Sequence, residues 1–350
     1  MVKANTRRRG PWRGSCLPAS RSLTRPVPPE RPALHLELVI NASTPAAVEA
    51  LRRGVNELRD AGHTVYPHLT FEGGDARRFA REAAERGAEL VVAAGGDGTI
   101  NEVVNGLNDA AEAGGNDELP RLGVIPMGTA NDFAGGLRVP KDPEEALRVA
   151  VSGTGYPVDL AALNGRCFLN VSTGGFGAEA TDEASDELKR MLGPIAYVIT
   201  GMKKFVALTP SRARFTSGGR VLHDGDFLIF AVGNARRTGG GVRLTSEADL
   251  SDGLLDLCVV EGMTHMEFVR IAPQLRSGTH VEHPKVIYQQ VRSVTVDAEV
   301  ELSVNVDGEP MTARRFEYRM LPRQITVMAA GPPDGSEEEE ASHRGTEAQR

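Results

Sequence analysis

The chain has 350 residues, of which 40% are hydrophobic and 25% are charged, proportions that are ordinary for a soluble globular protein and sufficient for two domains. No segment approaches the roughly 18–20 continuous apolar residues of a membrane-spanning helix, and the basic amino terminus lacks the apolar stretch of a secretory signal. The three cysteines (Cys16, Cys167 and Cys258) are few and widely spaced, which fits a reducing, cytosolic compartment, and no Cys/His cluster has the spacing of a zinc site.

The net charge of −7 is distributed unevenly along the chain. Residues 1–33 carry a net charge of +7, residues 334–350 carry −4, and the body between them carries −10. An acidic body argues against nucleic acid as the main partner. Because neither end shows a hydrophobic period, we predict a disordered Arg/Pro-rich arm over 1–33 and a disordered acidic tail over 332–350.

Strands and helices alternate over residues 34–150. Apolar runs predict strands at His35–Asn41, Thr64–Thr70, Leu90–Ala94 and Gly123–Pro126. Apolar residues at helical spacing predict a helix after each of the first three strands, the first with a capping hydroxyl just before Pro45. This alternation is typical of an open α/β sheet, so we predict an α/β domain over 34–150.

The run Gly95-Gly96-Asp97-Gly98-Thr99 follows the third predicted strand and opens a helix. Glycines at the carboxyl end of such a strand let the backbone approach phosphate groups, and the start of a helix presents free N–H groups to an anion. We expect Thr99 to cap the helix and Asp97 to lie beside a magnesium ion or a substrate hydroxyl. The chain lacks both the P-loop motif of nucleotide-binding proteins and the HRD and DFG elements of protein kinases.

A second motif, Gly128-Thr129-Ala130-Asn131-Asp132, follows the fourth predicted strand. The Thr129 hydroxyl and the neighbouring backbone amides can donate hydrogen bonds to a phosphate. Asn131 and Asp132 are residue types that commonly cap a helix, so a capping role for the next helix is the structural alternative. Both motifs are therefore candidate phosphate-binding loops of the α/β domain.

From residue 151 onward the pattern changes to short strands separated by turns. Strands are predicted at Val158–Leu163, Cys167–Ser172, Asp226–Val232, Leu254–Val260, Val291–Ala298, Glu301–Val306 and Phe316–Met320, and helices near 181–207 and 264–276. We predict an antiparallel β-rich lipid or substrate domain over 151–331. Its last strands either stay in this domain or pack back on the first domain. On pattern alone, Asp252-Gly253 and Asp307-Gly308 are hairpin turns.

The motifs together resemble the diacylglycerol kinase catalytic-domain superfamily, and most closely its YegS-like branch of bacterial lipid kinases. Besides the two glycine motifs, the resemblance rests on FLNVSTGGFG at 168–177, GNARRTGGG at 233–241, DLSDGLLD at 249–256 and NVDGEP at 305–310. It covers about 34–330. One departure lies at Asn41-Ala42-Ser43, where many relatives have Asn-Pro, so no phosphate contact is expected from that loop.

This resemblance implies a lipid kinase that uses ATP and Mg²⁺ and binds ATP in a cleft between its two domains. It implies ATP contacts from Thr70, Ala94, Gly95, Gly96, Asp97, Gly98, Thr99, Ile100 and Thr129. It implies a metal site made of the Asp252 carboxylate and backbone oxygens near Asp249 and Leu254. It also implies that Glu309 is the general base and that Asp97 is a second catalytic residue.

Several functional alternatives stay open at this stage. The acceptor lipid is diacylglycerol or phosphatidylglycerol, and either one implies a cytoplasmic protein that contacts the membrane surface. A kinase of a soluble acceptor such as NAD shares the GGDGT loop, and a nucleotide-binding regulator without turnover is a third reading. Relatives commonly form dimers, so a homodimer is also open, although no feature of the sequence demands one.

Overall fold

The computed structural model describes residues 33–41, 45–114, 118–175, 210–238 and 242–333. The predicted arm, nearly all of the predicted tail and the predicted helix near 181–207 lie outside the described residues. The capping residues proposed before Pro45 also lie outside them, although the first helix does begin at Pro45.

The described residues form thirteen strands and six α-helices. The strands are β1 (His35–Asn41), β2 (Thr64–Thr70), β3 (Leu90–Gly95), β4 (Arg121–Pro126), β5 (Thr154–Leu163), β6 (Arg166–Phe168), β7 (Val171–Gly175), β8 (Ser211–Ser217), β9 (Arg220–Gly233), β10 (Leu255–Glu261), β11 (Val286–Val291), β12 (Ser293–Val306) and β13 (Glu309–Ala329). The helices are α1 (Pro45–Asp60), α2 (Asp75–Glu85), α3 (Asp97–Glu112), α4 (Asp132–Gly136), α5 (Pro143–Ser152) and α6 (His265–Ser277).

The first four strands form a parallel sheet in the order β4–β3–β1–β2. Every residue of β3 is buried, as expected for a central parallel strand with both faces covered. The four strands predicted in this half are confirmed to within two residues at each end. Parallel pairing brings the carboxyl ends of β1, β2, β3 and β4 to one edge of the sheet.

The second half of the described chain is mainly antiparallel, as the strand-and-turn pattern predicted. Its core contains Phe215, Phe227 and Phe230, whose rings meet edge to face with centroids 5.3–5.6 Å apart. The helix predicted at 264–276 is confirmed as α6, and it begins with a capping box between Thr264 and Glu267. No helix among the described residues is long and apolar enough to cross a membrane.

Several details of the predicted strands in this half were wrong. The strands predicted at 226–232 and 316–320 are parts of the longer strands β9 and β13. The strands predicted at 291–298 and 301–306 are one continuous strand, β12, whose pairing with β13 shifts register between Asp297 and Leu302. The strand predicted at 167–172 is split into β6 and β7, because the amides of Leu169 and Asn170 donate to a side chain instead of a neighbouring strand. The strands β8 and β11 were not predicted.

The last strand, β13, is 21 residues long and joins the two halves of the sheet. It pairs antiparallel with β12 and β5, and near its end Val327 pairs with Leu122 of β4 in parallel. The final strand thus packs back on the first half of the chain. The domain boundary near residue 150 stays a prediction.

Candidate functional site

The two glycine motifs lie side by side at the carboxyl ends of β3 and β4. Gly95 is in register with Pro126, and the Met127 N–H donates to the Gly95 carbonyl at 2.8 Å. A Cβ atom placed on Gly128 would lie 2.5 Å from the Cα of Gly96. The two backbones are therefore in direct contact, which only glycine allows, and the loops form one continuous surface.

Asp97 connects the two motifs. It is the first residue of α3, and its carboxylate accepts hydrogen bonds from the backbone N–H groups of Asp132 at 3.2 Å and Phe133 at 3.1 Å. These are the first two residues of α4, so Asp97 satisfies amides that a helix start leaves unpaired. The carboxylate predicted to be catalytic therefore holds the second motif against the first.

Thr99 does not cap α3, contrary to prediction. The residue at the cap is Gly96, which makes no side-chain capping bond, and Thr99 lies buried in the first turn. Its hydroxyl accepts a hydrogen bond from the Asn41 side chain at 3.4 Å. In that bond the Thr99 hydroxyl is the acceptor and keeps its own proton to donate, and the start of α3 also presents backbone N–H groups to a phosphate.

The second loop is fixed by Asn131, which has a left-handed backbone with φ of 51°. Its side chain accepts from the Gly128 N–H at 2.9 Å and donates to the Gly128 carbonyl at 2.8 Å. The predicted capping role of Asn131 is therefore replaced by a bond within the loop. Thr129 lies inside this closed turn and is exposed, so its hydroxyl is available to a ligand.

The remaining predicted ATP contacts differ in accessibility. Thr70 is half-buried at the end of β2, and its hydroxyl donates to the Ile40 carbonyl at 3.4 Å. Gly98 is exposed, whereas the side chains of Ala94 and Ile100 are completely buried. Ala94 and Ile100 can contribute only backbone atoms.

Glu309 lies next to the first glycine loop although 210 residues separate it from Thr99 in sequence. It follows the turn between β12 and β13 and is exposed. Its Oε1 atom lies 4.0 Å from the position that a Cβ atom on Gly98 would occupy. The structure therefore brings the predicted general base to the loop predicted to hold phosphates.

Asp307 positions this turn, and sequence reasoning missed it. Its carboxylate is buried and accepts from the Asn101 side chain at 2.9 Å and from the N–H groups of Leu169 at 2.7 Å and Asn170 at 3.0 Å. Burial raises the pKa of Asp307 to about 6. The bonds fasten the turn that carries Glu309 to α3 and to the chain between β6 and β7.

A sequence signal for this anchoring does exist on α3. Asn101 and Asn105 lie on the buried face of the helix, where apolar residues are the norm. Asn105 accepts from the Cys167 N–H at 2.9 Å and donates to the Cys167 carbonyl at 3.0 Å. Buried amides on an apolar helix face indicate partners elsewhere in the chain, but not which partners.

The residues of the predicted metal site form a separate acidic loop between β9 and β10. The Asp252 carboxylate accepts from the Leu254 N–H at 2.8 Å, and the buried Asp159 carboxylate accepts from the Gly253 N–H at 2.7 Å. Partial burial, together with the charges of Asp249 and Asp159, raises the pKa of Asp252. Crowded carboxylate oxygens and nearby backbone carbonyls fit a hard divalent cation such as Mg²⁺. Among the described residues, no three His, Cys, Asp or Glu side chains are arranged to bind a metal by themselves, so backbone oxygens would have to complete such a site.

Strand register places this acidic loop at the same end of the sheet as Glu309. The strands run in the order β10–β9–β7–β12, with Gly233 paired to both Asp256 and Val171. Three strand spacings, about 14 Å, separate the start of β10 from the end of β12. The buried Asn234 side chain lies between them and donates to the carbonyls of Asp159 and Leu169.

Both halves of the chain match known protein families. Residues 35–163 match the diacylglycerol kinase catalytic domain, and residues 170–329 match the YegS C-terminal NAD kinase beta sandwich-like domain. The chain is 39% identical to the "Probable lipid kinase YegS-like" protein of Chromohalobacter salexigens over 306 residues, covering 85% of this chain and 93% of that protein. It is 37% identical to the "Probable lipid kinase YegS" of Escherichia coli over 288 residues, covering 81% and 92%. This chain belongs to the YegS-like lipid kinase family.

The fold of this YegS-like chain is also found in a solved structure. A diacylglycerol kinase from Bacillus anthracis str. Sterne superposes with a TM-score of 0.65 at 21% sequence identity, over 85% of this chain and 98% of the other. At that identity the likeness concerns the fold alone. The family models and the sequence relatives confirm the resemblance inferred from the motifs, while the roles assigned to individual residues of the YegS-like chain stay predictions.

Proposed function

We propose that this chain transfers the γ-phosphate of ATP to a hydroxyl group of a lipid, either diacylglycerol or phosphatidylglycerol. The observation that carries the proposal is the position of the Glu309 carboxylate beside Gly98, at the start of α3. A base is useful to a kinase only where the terminal phosphate and the acceptor hydroxyl meet. The start of a helix in a glycine loop is a favourable place for that phosphate.

ATP lies with its phosphates on the surface formed by the two glycine loops. Backbone N–H groups at the start of α3 and the exposed Thr129 hydroxyl donate to the phosphate oxygens. Asp97 acts as a positioning residue, because both oxygens of its carboxylate already accept from amides of α4. Its negative charge also lies at the amino end of α3, where the helix dipole favours it.

The transfer step needs only positioning and one proton acceptor from the protein. Glu309 takes the proton of the lipid hydroxyl as the hydroxyl oxygen bonds to the γ-phosphorus, and the bond from that phosphorus to the β-phosphate oxygen breaks to release ADP. Asp307 keeps the Glu309 turn against α3 during this step.

Asp252 and the backbone oxygens near Asp249 and Leu254 would hold Mg²⁺. When bound there, the ion would supply positive charge that offsets the neighbouring carboxylates of Asp249, Asp252 and Asp159. Asp159 shapes this loop by accepting from the Gly253 N–H.

The lipid acceptor implies that the protein works as a cytoplasmic protein at the membrane surface. A homodimer is compatible with this role, and no described contact requires one.

The test is transfer of labelled γ-phosphate from ATP and Mg²⁺ to diacylglycerol, phosphatidylglycerol, ceramide, sphingosine and NAD. Glu309→Gln keeps the size of the side chain but removes the base, so we expect turnover to fall by about 10²- to 10⁴-fold with ATP affinity unchanged. Glu301→Gln is the matched control, because Glu301 is an exposed glutamate of the same hairpin.

Each result of this assay has a distinct meaning. Label in a lipid that is lost in Glu309→Gln but retained in Glu301→Gln supports the proposal and names the acceptor. Label in NAD alone moves the chain to the kinases of soluble acceptors. ATP binding without transfer to any acceptor contradicts the assignment of Glu309 and favours a nucleotide-binding regulator.

A further inference from the structure

Phe71 presents its aromatic ring to solvent directly after the last residue of β2. Its side chain is 90% exposed, which is the largest exposed fraction among the large hydrophobic side chains of the described residues. Burial of an aromatic ring is strongly favourable, so a ring left outside the core is a candidate for contact with a ligand or a partner. The position of Phe71 relative to the glycine loops favours contact with a ligand.

The backbone that carries Phe71 is fixed by two carboxylates. Asp75 accepts from the N–H groups of Phe71 at 2.9 Å and Glu72 at 3.3 Å. The Gly74 N–H donates to Glu102 at 3.1 Å. Glu102 belongs to α3, the helix whose first turn contains Gly98, so a single helix positions both the first glycine loop and the loop of Phe71.

Strand register gives the distance between these two loops. Thr70 is paired with Asn41 on β1, and Ile40 on β1 is paired with Ala94 on β3. The backbone of Phe71 is therefore level with that of Gly96, two strands away. Two strand spacings amount to about 10 Å across the carboxyl edge of the sheet.

The position of Glu309 sets the direction in which a nucleotide extends from the glycine loop. Helix α3 lies between Glu309 and the loop of Phe71, because Asn101 bonds to Asp307 in the turn that carries Glu309, whereas the next residue, Glu102, bonds to Gly74. A nucleotide whose terminal phosphate points to Glu309 therefore has the loop of Phe71 on its other side, over β1 and β2. We propose that Phe71 stacks on the base of the bound nucleotide, an inference that rests on the proposed kinase function and adds to it a binding residue for the base.

The local charge disfavours the main alternative, insertion of Phe71 into a membrane. Tyr66 and Leu69 of the same strand are also partly exposed, at 51% and 41%, and would enlarge an apolar contact. However, the three arginines that follow Phe71 on α2 are paired with carboxylates, Arg78 with Asp75, Arg77 with Asp109 and Arg81 with Glu85, and the next residue along the chain, Glu72, adds a negative charge. Acidic side chains oppose the approach of an anionic lipid surface, whereas a base stacks on an aromatic ring irrespective of net charge.

The experiment compares two ligands that differ by the nucleoside. Equilibrium binding of ATP and of inorganic tripolyphosphate, both as Mg²⁺ complexes, is measured on the full-length chain, on Phe71→Ala and on Phe71→Trp. We expect Phe71→Ala to weaken ATP binding by about 5- to 50-fold, the lower part of the range for base–aromatic stacking. Tripolyphosphate binding should not change, and Phe71→Trp should bind ATP within about twofold of the unaltered chain.

Equal weakening of both ligands in Phe71→Ala, or of neither, would overturn the stacking proposal. Loss of binding to phosphatidylglycerol-containing vesicles with unchanged ATP affinity would also overturn it, and would assign Phe71 to the membrane. Base stacking by Phe71 and phosphorylation of a lipid can be rejected independently. Unchanged ATP affinity in a variant that still phosphorylates a lipid rejects stacking alone, whereas weakened ATP binding in a protein that phosphorylates no lipid supports stacking and rejects the acceptor.

Discussion

The glycine-loop region and the acidic loop between β9 and β10 are built on different physical principles. In the first, backbones touch at Gly96 and Gly128, and the carboxylates of Asp97 and Asp307 are each occupied by two or more donors. In the second, Asp249 and Asp159 also accept hydrogen bonds, but partial burial and the charges of these two carboxylates raise the pKa of Asp252. The hydrogen bonds of the first region hold two loops together, whereas the second region keeps a local excess of negative charge that a bound cation would offset. We therefore expect substitutions to have their largest effect in the first region, and added cations to act on the second.

The largest effect is expected at Asp307, the buried anchor of the first region. In Asp307→Asn the new amide group faces N–H donors, so at least two buried donors lose their acceptor. We expect the free energy of unfolding to fall by about 3–5 kcal/mol, measured by urea denaturation. Asp60→Asn, at an exposed position at the end of α1, is the control and should change it by less than about 0.5 kcal/mol. Equal stability of the two variants would show that the anchor is dispensable.

The next effect concerns the contact between the two glycine loops. A Cβ atom on Gly128 would clash with Gly96, so Gly128→Ala must push the loops apart. Displacement of about 1 Å in such a site lowers turnover about 100-fold, measured as the initial rate of phosphate transfer. Gly135→Ala is the matched control, because a Cβ there meets no atom within 4 Å. Activity of Gly128→Ala within twofold of the control would contradict the view that this region is rigid.

The pH dependence of stability should come in part from Asp256, the second residue of β10, which directly follows the second region in the chain. Burial raises the pKa of Asp256 to about 6, above the ordinary value of 3.8. Between these values the folded protein binds more protons than the unfolded chain, so stability falls as pH rises from about 4 to 6. The loss from one such group is on the order of 1–3 kcal/mol.

Asp256→Asn tests this origin, because an asparagine oxygen can still accept the hydrogen bond from the Tyr288 hydroxyl. Thermal unfolding followed from pH 4 to 7 should show a flatter profile for the variant. Asp307 also has a pKa of about 6, so some slope should remain. If the variant shows the same dependence of Tm on pH, then a group other than Asp256 causes it.

The smallest effect is stabilisation by Mg²⁺. At a concentration ten times its Kd, the ion should stabilise the protein by about 1.4 kcal/mol, a rise in Tm of about 2–4 °C. Asp252→Asn removes the carboxylate proposed to bind the ion and should abolish the rise in Tm. In the unaltered protein, Na⁺ in place of Mg²⁺ at matched ionic strength should give no rise. A rise of equal size in the variant would move the cation to another site.

Local patterns predicted the parts of the fold that depend on local physics. The apolar runs at 35–41 and 90–94 predicted β1 and β3, because a buried parallel strand must be apolar on both faces. The glycine motifs also predicted where the two loops meet, because parallel strands end at a common edge. The placement of Glu309 came from family resemblance rather than from local pattern.

Long-range contacts could not be predicted in this way. Asp307 looked like an ordinary turn residue, because its partners Asn101 and Leu169 are more than 130 residues away. Thr99 looked like a helix cap, but the helix begins at Asp97, three residues before the start at Ile100 that a cap at Thr99 requires. The predicted strand at 167–172 was broken by the same distant carboxylate, Asp307. The turn predicted at Asp307 is present, but its distant partners could not be predicted, and at 167–172 such a partner overrode a sound local preference.

The long strand β13 has a consequence for synthesis on the ribosome. The first four strands are complete once residue 126 has emerged, but β4 receives its pairing with Val327 only when the chain is almost finished. During the intervening synthesis of about 200 residues, one edge of the nascent parallel sheet lacks its final neighbour, a state that invites pairing with other chains. Chains truncated before residue 324 would keep that edge permanently, and we expect them to depend on chaperones or to aggregate.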